Sequence, residues 1–252
     1  MENGKMNIQE SVALVTGANR GIGKAIVETF LKRGVGKVYA AARNVSSLDN
    51  VLKLYGNRVV PISLDVTKAE EIQNAADRCK DVNWLINNAG VVSSWTGLMS
   101  EKAIEAARVE METNYFGPLS MIRAFVPALK SNSGGTIVNI LSIAALVNIP
   151  VIGSYSASKA SAHSMTQGVR AELSGQGIRV IGLYPGPVET EMSANFPMEK
   201  CPPSQIAEEV IGAILEGTED VFPDQMSLEL FTGLTKDPKD VERQMSAVLP
   251  GT

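Results

Sequence analysis

The sequence predicts an α/β protein: a Rossmann-like, doubly wound parallel sheet of about seven strands with helices on both faces, in a single domain. Three observations carry that expectation. Short apolar runs alternate with stretches of helical periodicity, the pattern of parallel strands joined by crossover helices. A glycine-rich turn, Gly17-Ala18-Asn19-Arg20-Gly21-Ile22-Gly23, follows the first such run and opens a helix. Gly17, Arg43, Asp65 and Asn88 all fall at the ends of predicted strands, where sheets of this kind gather their functional groups.

Val12-Ala13-Leu14-Val15-Thr16 is the first strand, apolar enough to be buried on both faces. The glycines after it let the backbone approach a pyrophosphate, and the next helix offers unpaired N–H groups and a partial positive charge at its start. The spacing is T-G-x-x-x-G-x-G, and a tight turn without ligand is the alternative. The following helix carries Ile22, Ile26 and Phe30 on its inner face. Lys37 to Ala42 is the second strand, followed by Arg43-Asn44 and a helix over 46–55. Val59 to Leu64 is the third strand, ending at Asp65-Val66. A polar helix over 70–80 leads to the fourth, Trp84-Leu85-Ile86, which runs into Asn87-Asn88-Ala89-Gly90.

Residues 101–131 predict one long helix, with Tyr115, Leu119, Ile122, Val126 and Leu129 as a core or interface stripe. Pro118 inside it cannot donate to the Asn114 carbonyl, so a kink is expected that frees this oxygen for water; a tolerated kink without a role is the alternative. Pro127 is placed to act likewise near the end. Thr136 to Leu141 is the fifth strand, ending on Ser142, and an apolar loop over 143–152 enters the next helix.

That helix carries Tyr155 and Lys159, and its apolar positions Ala162, Met165, Val169 and Leu173 run up to Gly175. Residues four apart share a helix face, so phenol and ammonium are expected side by side. A free tyrosine has a pKa near ~10, and a neighbouring cation lowers it, which describes a proton donor and acceptor tuned towards neutral pH. An ordinary surface pair is the alternative. Ile178 to Leu183 is the sixth strand, ending at Tyr184-Pro185-Gly186-Pro187-Val188-Glu189-Thr190. Residues 191–202 read as a substrate lid, 204–216 as a helix, and 217–252 carry no firm pattern.

The chain has 252 residues, 44% hydrophobic and 20% charged, with a formal net charge of −4, which argues against nucleic acid or an anionic membrane as partner. No apolar run reaches the ~18–20 residues of a membrane span, and residues 1–6 lack a secretory core. Cys79 and Cys201 have neither disulfide-framework nor zinc-site spacing and read as free thiols of a cytoplasmic protein. With one histidine, His163, read as a packing or interface residue, a His-dependent triad or metal site is not expected.

Together these landmarks resemble the short-chain dehydrogenase/reductase family, over residues 9–222. They are Thr16-Gly17-(Ala-Asn-Arg)-Gly21-Ile22-Gly23, Asn87-Asn88-Ala89-Gly90, Asn114, Ser142, Tyr155-x-x-x-Lys159 and Pro185-Gly186. The resemblance implies a nicotinamide dinucleotide as hydride carrier and a catalytic tetrad of Asn114, Ser142, Tyr155 and Lys159. It implies that Tyr155 is the acid in reduction, that Ser142 polarises the substrate oxygen, and that Lys159 lowers the Tyr155 pKa while holding the nicotinamide ribose. It makes Asn114 the holder of a relay water. It assigns the carboxamide to Val188 and Thr190, the adenine to Asp65-Val66, and the adenosine ribose side to Asn88, Ala89 and Gly90. Asn87 is expected to brace the fourth strand. The end of the chain departs from the family, which places a tetramer behind a homodimer built on the Asn114 and Tyr155 helices.

NAD-type enzymes of this fold end the second strand on an acidic residue that bonds the ribose hydroxyls. This chain has Ala42 and then Arg43, with Arg20 just before Gly21. Two guanidinium groups and no carboxylate favour a 2′-phosphate, so the expected cofactor is NADP(H); two solvated arginines are the alternative. Val92, Trp95, Ile143, Ala144, Val147, Pro187, Met192 and Phe196 are the expected substrate border, mostly apolar. The expected activity is reduction of an uncharged ketone or aldehyde, with a 3-oxoacyl thioester reductase as runner-up. A dinucleotide-sensing regulator is the reading from another class.

Overall fold

The computed structural model describes residues 7–194, 196 and 198–249; residues 1–6, read above as lacking a secretory core, lie outside these. The strands are β1 (Val12–Thr16), β2 (Lys37–Ala42), β3 (Val59–Ser63), β4 (Trp84–Asn87), β5 (Gly135–Ile140), β6 (Ile178–Leu183) and β7 (Asp220–Val221). They form one parallel sheet in the order β3-β2-β1-β4-β5-β6-β7. The chain winds outward from β1 in one direction and from β4 in the other, so the carboxyl ends of these neighbours flank the switch point. That is where a crevice opens in such a sheet.

Side-chain alternation sorts the strands onto two apolar layers. Ala13 and Val15 face α1 (Gly21–Lys32), α2 (Asp49–Tyr55) and α7 (Pro203–Glu216), packing with Ile26, Phe30, Val51, Val210 and Ile214. Leu14 and Leu85 face α3 (Ala69–Arg78), α5 (Gly117–Ser131) and α6 (Gly153–Leu173), packing with Ile72, Met121, Phe125, Leu129 and Met165. A polar thread crosses the second layer. The Asn87 amide donates to Asn139 Oδ1 (2.9 Å) and Asn139 to the Thr166 hydroxyl (2.9 Å), tying β4 to β5 and α6.

The expected helix over 101–131 is three segments. α4 (Ala103–Met111) passes through a five-residue π-helical turn, Glu112–Phe116, into α5. Pro118 stands in the first turn of α5, where a missing N–H is tolerated, so the wider turn takes the place of the expected kink. Pro127 does lie inside α5. Residues 143–152 hold two short 3-10 turns rather than an irregular loop.

Residues 217–249 gain their structure from packing that no local pattern announces. After β7 come α8 (Gln225–Lys236) and α9 (Pro238–Ser246), which fold back so that Leu230 and Val241 cover Ile143 and Val147. The Val151 amide donates to the Val248 carbonyl (3.1 Å) and pins the end of this segment beside the Tyr155 helix. Among the described residues no helix is long and apolar enough to cross a membrane, and no cluster of His, Cys, Asp and Glu could hold a metal.

Candidate active site

A cavity of about 1210 Å³ runs along the carboxyl edge of the sheet, from Arg43 and Asp65 at one end to Met226 and Val248 at the other. The glycine turn forms its floor. Gly17 (φ 64°) and Gly21 (φ 51°) hold left-handed backbone that other residues rarely adopt. A Cβ on Gly23 would stand 2.2 Å from the Gly17 carbonyl and 2.4 Å from the Asn88 amide, so Gly23 serves close helix–strand packing and does not line the cavity. The Asn88 amide donates to the Thr16 and Gly17 carbonyls, locking the turn to the end of β4. No side chain caps α1, and its first turn carries no acidic residue. Its opening amides are therefore available to an anion. Backbone close to the cavity, free amides and the absence of an acidic residue in the first turn of α1 together fit a dinucleotide diphosphate.

Arg43, Asn44 and Ser47 border the cavity beyond β2. Arg20 borders it too, but its guanidinium pairs with Glu191 of the 191–202 segment. Asp65 Oδ1 accepts from the Thr67 amide (3.0 Å) and hydroxyl (2.8 Å). These bonds and the charge of Arg43 hold its carboxyl below the usual range, although burial opposes them. Asn19, Ile22, Val66, Ala89, Gly90, Val188 and Thr190 also face this space.

Deeper in, Ser142, Tyr155 and Lys159 meet. Ser142 leaves β5 as the cap of the 143–145 turn, its hydroxyl accepting from the Ala144 amide (3.1 Å). The buried Tyr155 phenol is hydrogen-bonded with Ser142. Lys159 lies one turn along α6, its Nζ donating to the Ile140 carbonyl (2.8 Å) and 5.7 Å from the Tyr155 ring centroid. Burial dominates both titrations. It pushes Tyr155 up to about 12 despite the Ser142 bond, with the negative charge of Glu110 adding to the rise. It brings Lys159 down to about 8. The spacing of the pair thus places Lys159 where expected, with its ammonium on Ile140 and beside the Tyr155 ring.

Asn114 is buried in the π turn and stands behind the cavity wall. Its side chain accepts from the Val91 amide (2.9 Å) and donates to the Val91 carbonyl (2.9 Å) and Ser158 hydroxyl (2.9 Å). Ser158 in turn donates to the Tyr155 carbonyl (2.7 Å), so Asn114 joins the loop after β4 to the base of α6.

Of the expected substrate border, Val92, Trp95, Ile143, Pro187, Met192 and Phe196 line the cavity, and Trp95 and Phe196 make ring contact at 5.8 Å. Ala144 and Val147 do not. Ala144 packs behind Tyr155 among Ile149 and Ile152, and Val147 lies under α8 and α9. Met226, Met245 and Val248 complete the wall from the C-terminal segment, with Met198 from the 191–202 stretch. Their placement depends on long-range packing, which the local sequence does not signal.

The geometry is that of an oxidoreductase site on a dinucleotide-binding sheet. The family model described as short chain dehydrogenase matches residues 11–200, and the chain belongs to the short-chain dehydrogenase/reductase family. A short-chain dehydrogenase of Burkholderia cenocepacia, solved in complex with NADP, is 45% identical over 95% of this chain and 99% of that one, with a TM-score of 0.89. An uncharacterized oxidoreductase of Staphylococcus saprophyticus is 37% identical over 83% of this chain and 93% of its own length. Another from Myxococcus xanthus is 33% identical over 86% and 88%.

Proposed function

We propose that this oxidoreductase is an NADP(H)-dependent carbonyl reductase that converts an uncharged, largely apolar ketone or aldehyde to the alcohol, and reverses the step. The observation that carries this reading is the meeting of Ser142 and Tyr155 at the apolar end of the cavity. The glycine turn and the start of α1 would hold the diphosphate, Arg43 the 2′-phosphate, and Lys159 the nicotinamide ribose. When bound, the dinucleotide supplies the hydride. Ser142 and Tyr155 grip the substrate oxygen, and Tyr155 delivers the proton as charge builds there. Its protonated state across the physiological range suits the reductive direction. Lys159 holds its ammonium on the Ile140 carbonyl, and with burial bringing its pKa down to about 8 it can take up and release a proton near neutral pH.

The apolar wall of Trp95, Ile143, Phe196, Met226, Met245 and Val248 favours uncharged substrates. Arg108 and Glu112 also border the cavity, and their opposite charges offer no net clamp for a carboxylate. We assign a homodimer through the Asn114 and Tyr155 helices, where exposed Ile104 and Val109 of α4 and Phe116 of the π turn supply apolar surface. The unpaired thiols of Cys79 and Cys201 support a cytoplasmic location. A panel of aliphatic, aryl and cyclic ketones with 2-oxo acids beside them, followed by NADPH absorbance, tests the reading. Uncharged ketones should give the higher kcat/KM; preference for pyruvate-like acids would contradict it.

A further inference from the structure

Four of the chain's ten methionines, Met192, Met198, Met226 and Met245, border the cavity that holds Ser142 and Tyr155. They converge from two separate stretches: Met192 and Met198 from 191–202, Met226 and Met245 from the C-terminal segment. Met226 lies in the first turn of α8, which Asp224 caps through the Ser227 amide (2.9 Å). Met245 lies in the last turn of α9, and the chain turns back directly after it. The Val248 amide donates to the Met245 carbonyl (3.1 Å), and the Val248 carbonyl accepts from the Val151 amide (3.1 Å). Val151 stands two residues before Gly153, where α6 begins, so Met245 is tethered to the turn that leads into the Tyr155 helix.

Met245 packs in two directions. One is towards Ile143, Val147, Leu230 and Val241; the other is towards the cluster of Ala144, Ile149, Ile152 and Tyr155. A methionine that joins two clusters is commonly a gap filler, because its three rotatable bonds let it follow an irregular space. A filler has no reason to meet a cavity. Met245 is partly exposed and borders this one, so its thioether presents an apolar, polarisable face to whatever occupies the site. Trp95 and Phe196 add an aromatic part to the same lining, their rings 5.8 Å apart and tilted by 48°. Residues 91–96, 140–152 and 245–248 carry no ionisable side chain, so these stretches offer shape and polarisability in place of charge. Both kinds of side chain favour a ring: aromatic pairs and sulfur–aromatic contacts each add to what apolar burial gives.

We propose that Met245 is a specificity-determining residue, and that the substrate it selects is an aryl ketone whose ring lies against the thioether. The inference deepens the carbonyl-reductase reading and rests on it. A ring seated on this wall leaves its carbonyl to Ser142 and Tyr155, whereas a straight chain of the same size gains nothing from the sulfur. Because methionine changes rotamer readily, rings with different substituents are accepted.

The test compares kcat/KM with NADPH for acetophenone and 2-octanone, which have equal numbers of carbon atoms, in wild type, Met245→Leu and Met245→Ala. Binding of both ketones to the NADP+ complex, which has no hydride to transfer, is followed in parallel by tryptophan fluorescence. Wild type should favour acetophenone in both measurements. Met245→Leu keeps the apolar volume and removes the sulfur, so the preference for acetophenone should fall roughly two- to tenfold while NADPH affinity stays unchanged. Met245→Ala opens the wall, so acetophenone should lose roughly tenfold and a larger naphthyl ketone should gain relative to it. Equal effects on acetophenone and 2-octanone in both variants would reduce Met245 to packing and overturn the proposal. Preference of the wild type for 2-octanone would overturn the aryl assignment. A binding preference that persists with no turnover of any ketone would instead overturn the carbonyl-reductase reading and leave the role of Met245 in binding standing.

Discussion

At the residue scale, the cofactor end of the site turns on Arg43. Arg20 is held by Glu191, whereas no ion pair engages Arg43 among the described residues. The two arginines that look equivalent in the sequence are therefore unequal. A hydrogen bond to a charged group contributes roughly 1.5–3 kcal/mol. Preference for NADPH over NADH should thus be on the order of 10²-fold in kcat/KM, with Arg43→Leu removing most of it and Arg20→Leu much less. Adding Ala42→Asp to Arg43→Leu should reverse the preference by repelling the phosphate. Kinetics with both dinucleotides at fixed salt check this, and equal loss in the two single variants would show that Glu191 yields Arg20 to the ligand. Lys159 gives a second expectation. Its pKa near 8 means that its ammonium neutralises as pH rises through that value. Dinucleotide affinity measured by fluorescence should weaken above pH 8 in wild type and stay flat in Lys159→Ala.

At the scale of elements, Asp224 couples the C-terminal segment to the site. Its carboxylate caps α8 through the Ser227 amide (2.9 Å) and accepts from the Gly186 amide (2.8 Å) in the loop that carries Pro187 and Val188. Asp224→Ala should remove about 1–2 kcal/mol, lowering Tm by several degrees at about 2–4 °C per kcal/mol. It should also raise KM, because both the loop and the Met226 wall lose their anchor; a fall in Tm with unchanged KM would confine Asp224 to capping. The same elements show what was legible in the sequence. β1 to β6 and the glycine turn were readable because buried parallel strands are continuous apolar runs and Gly17 and Gly21 mark backbone that needs them. The Tyr155 and Lys159 helix was readable from its period. The π turn was not, since local rules read Pro118 as a kink inside one helix, whereas the structure sets it in the first turn of α5 after the wider turn. Nor were α8 and α9, because Leu230, Val241, Met245 and Val248 find partners only across the fold. Glu110 looks in sequence like any surface glutamate of α4, and only packing shows it to be buried.

At the scale of the whole molecule, buried acids set the alkaline limit of stability. Burial raises Cys79 to about 12 and Cys201 to about 11, and raises Tyr155 and Tyr184 as well. Each keeps its proton in the folded state above the pH at which the unfolded chain releases it, so stability falls with pH from about 9 upward. Lys159 acts oppositely between about 8 and 10.5, where the unfolded chain holds the extra proton, but it is one group against four. Urea unfolding at pH 8 and pH 10 should show the loss, and Cys79→Ala should reduce the difference by about 1 kcal/mol. An unchanged difference would mean that Cys79 ionises in the folded protein as it does in the unfolded chain. The central claim is that the fold brings a bound dinucleotide and the Tyr155 proton together on one carbonyl. Its most direct test is Tyr155→Phe, which keeps the ring and removes the transferable proton. NADPH binding measured by fluorescence should be unchanged while kcat for reduction of an uncharged ketone falls by about 10²–10⁴. Retention of wild-type turnover with NADPH bound would contradict it.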